Sequence, residues 1–276
     1  MSSMTQTGGI IELHPWLDSP AGRLLQQWEQ AQLDRAVADI FGFHALQLGL
    51  PELDALRANR MAHRWIALDH AYAAWPVRGE GAIPAGSRPA AGGHTAGEDA
   101  AVPIALRCDF HALPFPANSL DLVVLPHALE LASDPHETLR EVERVLVPDG
   151  RVVIIGFNPA SLWGAWQRAG RWGARSACVL PQGEFIGYWR LRDWLRLLGL
   201  HMETGCFGCY RPAWRSERWL ERFAWMERVG DRWWPVLGGV YFIVAAKRVR
   251  GMRLVGKLKH AKAAAHAAPA VLTNRR

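Results

Sequence analysis

The stretch "CDFHALPFPANSLDLVVLPHALELASDPHETLREVERVLVPDGRVVIIGFNP", residues 108–159, decides the fold that this sequence predicts. It contains two strongly apolar segments, LDLVVLPHA at 120–128 and RVVIIGF at 151–157, each with the length of a strand. RVVIIGF is apolar at nearly every position, so both of its faces must be covered. These two segments therefore predict neighbouring strands in a sheet that has helices on both sides.

The segment between the two strands carries clear helix signals. Asp134 is a good N-cap, Pro135 suits the first helical position and Glu137 completes a capping box. Asp149-Gly150 is expected to end this helix. A strand, a helix and a second buried strand in this order predict a parallel pair joined by a crossover.

Similar units precede this stretch. Residues 19–40 predict a helix in which Ser19 is the cap, and HALQLGL at 44–50 predicts a short buried strand. PELDALRAN at 51–59 predicts a helix that begins at Pro51. RWIALD at 64–69 and VPIALRCDF at 102–110 predict the next two strands.

The last elements complete the predicted sheet. Residues 190–199 form an amphipathic helical pattern closed by Gly199, and LHMETGCFG and GGVYFIVAAKR predict two final strands. We expect these two to pair antiparallel at the sheet edge. The predicted fold class is α/β, a doubly wound, mostly parallel seven-stranded sheet with an antiparallel edge hairpin.

Composition favours a globular protein without a membrane span. The longest apolar run, 235–246, has 12 residues and is too short to cross a bilayer. No secretory signal is recognised at the N-terminus, and four cysteines do not form a disulfide framework, so a cytoplasmic location is expected. The net charge of +6 arises in the last 30 residues, which hold nine Lys or Arg and no acidic residue.

The chain divides by composition into three predicted parts, and the second of them contains two distinct regions. Residues 1–40 form an N-terminal helical extension, and residues 41–248 form the α/β domain. Within that domain, 79–100 is a Gly- and Ala-rich insertion expected to be flexible, and 160–235 is a variable region rich in tryptophan. Residues 249–276 form a basic tail that we expect to be disordered.

The run from Asp109 to Pro159 resembles the core of the class I S-adenosylmethionine-dependent methyltransferases, type 11. An acidic residue at the end of the third strand, then LPFPANSLDLVV, DPHETLREVERVL and PDGRVVI, follow that family's order and spacing. Together with FGFHALQLG, the pattern resembles a little-characterised proteobacterial branch. The resemblance implies a Rossmann-like fold and S-adenosylmethionine as cofactor, bound across the carboxyl ends of the first strands.

The same resemblance implies the cofactor-binding residues of the first two strands. Gly49 matches the first glycine of the family's loop, whose later glycines are absent here, and Gln47 stands where an acidic residue is common. Gln47 would hydrogen-bond the cofactor's ammonium group, and Asp69 would accept bonds from the ribose hydroxyls. The alternative is that residues 46–53 are only a strand and a turn.

Further site residues follow the third and fourth strands. By resemblance, the Asp109 carboxylate accepts a bond from the adenine amino group, the Phe110 amide faces a ring nitrogen, and Leu125 belongs to the cofactor site. Asp109 could instead be only a cap. His127 is the catalytic candidate, as a general base, although it could equally orient the cofactor or pack in the wall.

Two other patterns have simpler explanations. Cys206 and Cys209 form a CxxC without the further ligands that a zinc site needs, so no metal is predicted. Arginines 211, 215, 218 and 222 have helical spacing, with Trp219, Phe223 and Met226 on another stripe. This pattern predicts a surface helix with a buried aromatic face, or a lid or membrane-surface helix for an apolar substrate.

Three functions remain to be separated. The first is methyl transfer to a small or lipid-like acceptor, with peripheral membrane contact left open. The second is a non-catalytic binding or scaffold protein whose methyltransferase fold has lost its cofactor affinity. The third, less favoured, is nucleic-acid binding through the basic tail, which predicts steep salt dependence. The sequence does not identify the acceptor.

Overall fold

A computed structural model describes residues 13, 16–69, 104–170, 185–214 and 216–248. The predicted insertion at 79–100 and the basic tail lie outside these ranges. Within them, seven strands form one sheet in the order β3-β2-β1-β4-β5-β7-β6. The strands are β1 His44–Leu48, β2 His63–Leu68, β3 Ile104–Arg107, β4 Leu120–Pro126, β5 Leu146–Phe157, β6 Leu200–Gly208 and β7 Val240–Lys247.

The strand directions confirm the predicted fold class. Strands β3, β2, β1, β4 and β5 are parallel, β7 runs antiparallel to β5, and β6 runs antiparallel to β7. The final two strands are therefore the expected edge hairpin. The helices in the described ranges are α1 Pro20–Ala38, α2 Ala128–Leu131, α3 Pro135–Val145, α4 Leu162–Gly170, α5 Tyr188–Leu197, α6 Glu217–Arg222 and α7 Trp225–Trp233.

Two apolar cores cover the two faces of the sheet. On the first face, Leu122 and Val124 of β4 share a core with the buried stripe of α1, which includes Leu25 and Leu33. The alternate β4 residues Val123 and Leu125 share the second core with buried residues of α3 and α5. Successive residues of a strand point to opposite faces, so β4 contributes to both cores.

The predicted caps of the two main helices are present. The Ser19 side chain accepts a hydrogen bond from the Gly22 amide at 3.1 Å. Asp134 accepts from the amides of His136 and Glu137 at 2.8 and 3.1 Å. These contacts satisfy amides that have no partner inside their helices.

The predicted end of α3 at Asp149-Gly150 is wrong. The helix ends at Val145, and β5 begins at Leu146. Its last carbonyls find partners elsewhere, because the amides of Asn118 and Ser119 donate to Arg144 and Val145 at 2.9 and 2.8 Å. The chain can therefore leave the helix four residues early without losing backbone hydrogen bonds.

Two other predicted helices also differ. Residues 51–59 form turns instead of a helix. The arginine-rich stripe is not one helix, because Arg211 precedes α6 and Phe223–Ala224 separates α6 from α7. Arg215 lies outside the described residues. None of the helices in the described ranges combines the length and the apolar composition that crossing a bilayer requires.

Candidate functional site

The predicted cofactor residues meet at the carboxyl edge of the parallel strands. Gly49 follows β1, Asp69 follows β2 and Asp109 follows β3, and these strands are neighbours in the sheet. The Gly49 amide donates to the Ala67 carbonyl at 2.8 Å, next to the end of β2. Gly49 has φ 75°, a conformation that favours glycine.

The two carboxylates lie beside the same thiol. Burial, followed by the negative charges of Asp69 and Asp109, raises the pKa of Cys108 to about 11. Asp109 is exposed, and its Oδ1 accepts from the His111 amide at 2.8 Å. The Phe110 side chain is buried in the second core, as is Leu125 at the end of β4. Their contacts with a cofactor stay predictions.

Gln47 holds the loop that follows β1. Its Nε2 donates to the carbonyls of Gly49, Leu50 and Leu53 at 3.1, 2.9 and 2.7 Å, and its Oε1 accepts from the Ala55 amide at 3.0 Å. These bonds turn the loop carbonyls inward toward one side chain. Within 51–59 these bonds take the Leu53 carbonyl and the Ala55 amide, which a helix would direct along its axis, so they compete with the predicted helix.

This arrangement changes what Gln47 can offer a ligand. The side chain is fully buried, and three carbonyls already share the two hydrogens of its amide nitrogen. Leu50 has φ 44°, and its side chain packs in the first core. A contact between Gln47 and the cofactor ammonium stays a prediction, and the amide has other partners here.

His127 lies at the carboxyl end of β4 inside a buried ionic network. Its Nε2 contacts Glu29 of α1 at 2.7 Å and its Nδ1 contacts Glu130 at 2.8 Å. Its backbone is left-handed, with φ 54°, and its ring lies 4.4 Å from the Phe157 ring. Glu130 also accepts from the Phe157 amide, so the network joins α1 to the ends of β4 and β5.

The network keeps the imidazole charged. Burial alone lowers the pKa of His127, but Glu29 and Glu130 outweigh that effect and raise it to about 10. Both ring nitrogens then donate to carboxylates, and no lone pair is available near neutral pH. This geometry supports a positioning role for His127, and its role as a general base stays a prediction.

Sequence reasoning missed Glu29. It stands between Leu25 and Leu33 on the buried stripe of α1, and its side chain is completely enclosed. Its Oε2 has no hydrogen-bond partner among the described residues. A carboxylate on an apolar helix stripe was the available signal, because a buried charge needs a charged partner elsewhere in the fold.

Two cavities lie along α1, away from the predicted cofactor residues. The larger has a volume of about 520 Å³ between α1, the end of β6 and α7, and the smaller has about 320 Å³ beside β6 and β7. Cys206 lines both, and Cys209 lines the larger. Burial raises the pKa of both thiols, which disfavours the reactive thiolate. Within the described residues, no group of His, Cys, Asp and Glu could hold a metal ion.

Solved structures share this architecture. The chain superposes on a methyltransferase solved in complex with the Haloferax volcanii Trm112 methyltransferase activator, with a TM-score of 0.54 and 18% identity, over 89% of this chain and 100% of that one. This chain has the class I methyltransferase fold. An S-adenosylmethionine-dependent methyltransferase from Thermotoga maritima gives a TM-score of 0.51 at 14% identity, over 82% of this chain and 92% of that one.

Sequence relatives agree with the class I methyltransferase fold. Residues 89–154 match the family model described as a methyltransferase domain. YafS of Escherichia coli is 33% identical over 149 residues, which are 54% of this chain and 50% of YafS. A malonyl-[acyl-carrier protein] O-methyltransferase of Halorhodospira halophila is 43% identical over 65 residues, 22% of each chain. The chain thus spans about half the length of YafS and less of the named methyltransferase.

Proposed function

We propose that this protein binds S-adenosylmethionine at the carboxyl edge and transfers its methyl group to a small or lipid-like acceptor. One observation carries the proposal: Gly49, Asp69 and Asp109 follow three neighbouring parallel strands of a class I methyltransferase fold. In open α/β sheets, ligands bind outside the carboxyl ends of the strands. A cytoplasmic location is part of the same proposal.

The residues present fit the adenosine half of the cofactor. Ribose hydroxyls and an adenine amino group are hydrogen-bond donors, and Asp69 and Asp109 supply acceptors. Gly49 adds a close backbone approach without a side chain. The methionine half would meet a loop whose carbonyls bond Gln47, so its contacts there must differ from those of a glycine-rich loop.

The chemistry does not require a general base in every case. The bound cofactor supplies a methyl group on a sulfonium, whose neutral sulfide is a good leaving group. The chain's task is then to hold the acceptor atom in line with that methyl group and to exclude water. A charged, enclosed His127 fits this division of labour, because it fixes the end of β4 where the acceptor would lie.

The named activities of the sequence relatives suggest which classes of methyl acceptor to test first. Relatives include the malonyl-[acyl-carrier protein] O-methyltransferase and a ubiquinone/menaquinone biosynthesis C-methyltransferase of Hahella chejuensis, 40% identical over 53 residues. A malonyl thioester and quinone precursors are therefore the first acceptors to test. A quinone precursor is apolar and matches a lipid-like acceptor, whereas a malonyl thioester offers a carboxylate on a carrier protein.

The second candidate is a binding protein that keeps the fold without the cofactor. Two observations favour it: the fully buried Gln47 amide, which bonds the loop after β1, and the enclosed His127 network. In both cases a side chain that was predicted to face a ligand makes its contacts inside the protein instead. This candidate predicts that neither S-adenosylmethionine nor S-adenosylhomocysteine binds.

Calorimetric titration with both compounds separates the two candidates. We expect micromolar binding to the natural chain and at least about tenfold weaker binding to Asp109→Ala, which loses a charged acceptor. Asp39→Ala is the matched control, because this exposed carboxylate follows α1 at the opposite edge. Affinity unchanged in Asp109→Ala would refute the site, and no binding up to about a millimolar would favour the second candidate.

A further inference from the structure

The chain segment that connects β6 to β7 exposes several large apolar side chains to solvent. We call this surface the tryptophan edge, and its members are Trp219, Trp225, Trp233, Trp234, Val236 and Leu237. Their exposed fractions run from 40% for Val236 to 70% for Trp233. Tryptophan is the side chain that most often occupies the boundary between water and the apolar part of a membrane.

The exposed face of α7 combines tryptophan with arginine. Trp225, Arg228 and Arg232 are three and four residues apart, so they share one stripe of the helix, and all three are exposed. The opposite side of α7 faces the protein, where Gly230 packs under the Tyr210 ring. Trp233 ends the helix and Trp234 follows it as the C-cap.

Two acidic residues of this region pair with arginines from outside it. Glu217 pairs with Arg23 of α1 at 2.7 Å, and Glu227 pairs with Arg211 at 3.4 Å. Residues 216–237 hold four arginines and four acidic residues, and the two outside arginines raise the count to six against four. The tryptophan edge together with these ion-pair partners therefore carries an excess of two positive charges.

The tryptophan edge lies at the functional end of the sheet. It immediately precedes β7, whose first residue Val240 pairs with Phe157 at the carboxyl end of β5. Gly49, Asp69 and Asp109 lie at the carboxyl ends of parallel strands in the same sheet. A flat object bound to the tryptophan edge would thus lie beside the opening of the proposed cofactor site.

We propose that the tryptophan edge docks on the surface of an anionic lipid bilayer. Exposed indoles insert at the level of the headgroups, and arginines contact lipid phosphates, so both parts of the surface find a partner there. The positive excess selects negatively charged lipid. This inference stands apart from methyl transfer, because docking needs neither cofactor nor acceptor.

Vesicle co-sedimentation of the full chain tests the proposal. Vesicles contain phosphatidylcholine alone or with about a third phosphatidylglycerol, enough to attract clustered basic residues. We expect preference for the anionic vesicles and about tenfold or greater loss of binding in Trp233→Ser/Trp234→Ser, which removes two interfacial anchors. Arg228→Gln/Arg232→Gln should lower binding to anionic vesicles about tenfold and leave the weak binding to neutral vesicles unchanged.

Phe41→Ser/Phe43→Ser is the matched control. These two aromatic side chains are 76% and 71% exposed, but they precede β1 at the opposite edge of the sheet. We expect this variant to bind vesicles like the natural chain. The proposal would be overturned if the natural chain did not bind vesicles. It would also be overturned if the tryptophan variant bound as well as the natural chain, and docking would then be assigned to another segment. A dimer that the tryptophan variant dissociates, without vesicle binding, would assign the edge to a second copy of the chain.

Discussion

Gln47 stabilises the loop after β1 from within. Its amide forms four hydrogen bonds to that loop. These bonds hold the loop in shape, as glycines and a following helix do in other folds of this type. Because the carbonyls point at the side chain, the position requires a donor as well as an acceptor. A carboxylate, which only accepts, cannot satisfy it.

We therefore expect Gln47→Glu to be more destabilising than Gln47→Ala near neutral pH. Gln47→Ala leaves buried loop groups without partners and should lower the free energy of unfolding by about 3 kcal/mol. Gln47→Glu adds a negative charge facing three carbonyl oxygens. Urea denaturation measures both, and the exposed Gln27→Ala in α1 should change stability by less than about 0.5 kcal/mol. Natural stability in Gln47→Glu would contradict the described loop.

His127 makes stability depend on pH in a defined direction. Its pKa is about 10 in the folded protein and near 6.5 when unfolded. The folded state therefore keeps a proton that the unfolded state releases, and the resulting stabilisation is complete below pH 6.5 and lost as pH rises through 10. Burial raises the pKa of Glu130, which adds a loss of the same sign at lower pH.

Stability should thus fall between pH 6.5 and 10 by at most about 1.4 kcal/mol per pH unit from this group. His127→Gln should remove that slope, whereas His201→Gln, at an exposed position on β6, should keep it. If His127→Gln fails to fold, Glu29→Gln gives a shallower slope while it retains the histidine. Urea midpoints across the window provide the measurement, and parallel curves for all variants would exclude a charged His127.

At the scale of elements, one close contact helps to fix the position of α1 on the sheet. A Cβ added to Gly208 at the end of β6 would overlap the indole of Trp28 in α1. Gly208 is therefore needed for the space it leaves, because its φ is not positive. The same indole lines the larger cavity between α1 and α7.

We expect Gly208→Ala to lower the free energy of unfolding by about 1–3 kcal/mol through overpacking. Combined with Trp28→Leu, the same substitution should cost less, because the smaller side chain can move away. Gly205→Ala on the same strand is the control, since its Cβ would meet the Tyr188 hydroxyl at an ordinary 3.5 Å. A double-mutant cycle by urea denaturation tests the coupling. Equal costs with and without Trp28 would contradict this packing.

At the scale of the whole molecule, local patterns predicted most of the sheet. LHMETGCFG matches the bounds of β6, and the seven strands and the edge hairpin are as expected, because apolar runs between turns report burial directly. The predicted helix at 51–59 was wrong, and there the buried Gln47 side chain bonds the Leu53 carbonyl and the Ala55 amide. No local propensity contains that contact.

The candidate site, like the fold, could be predicted from the sequence only in part. Gly49, Asp69 and Asp109 could be grouped from sequence, because parallel strands bring their carboxyl ends to one edge. The partnership of Glu29 with His127 could not, because the two residues are separated by 98 positions. In this region the sequence predicted a surface helix, or a lid or membrane-surface helix, but the exposure of its tryptophans depends on how α6 and α7 separate.

The packing position of α1 also has a consequence for the synthesis of the chain. Its buried stripe and its carboxylate are covered by Leu122, Val124 and His127, which follow the helix by about a hundred residues. At roughly 5–20 residues per second, ribosomes need about 5–20 s to deliver them. During that interval the nascent helix carries an apolar stripe and a carboxylate that have not yet met their partners.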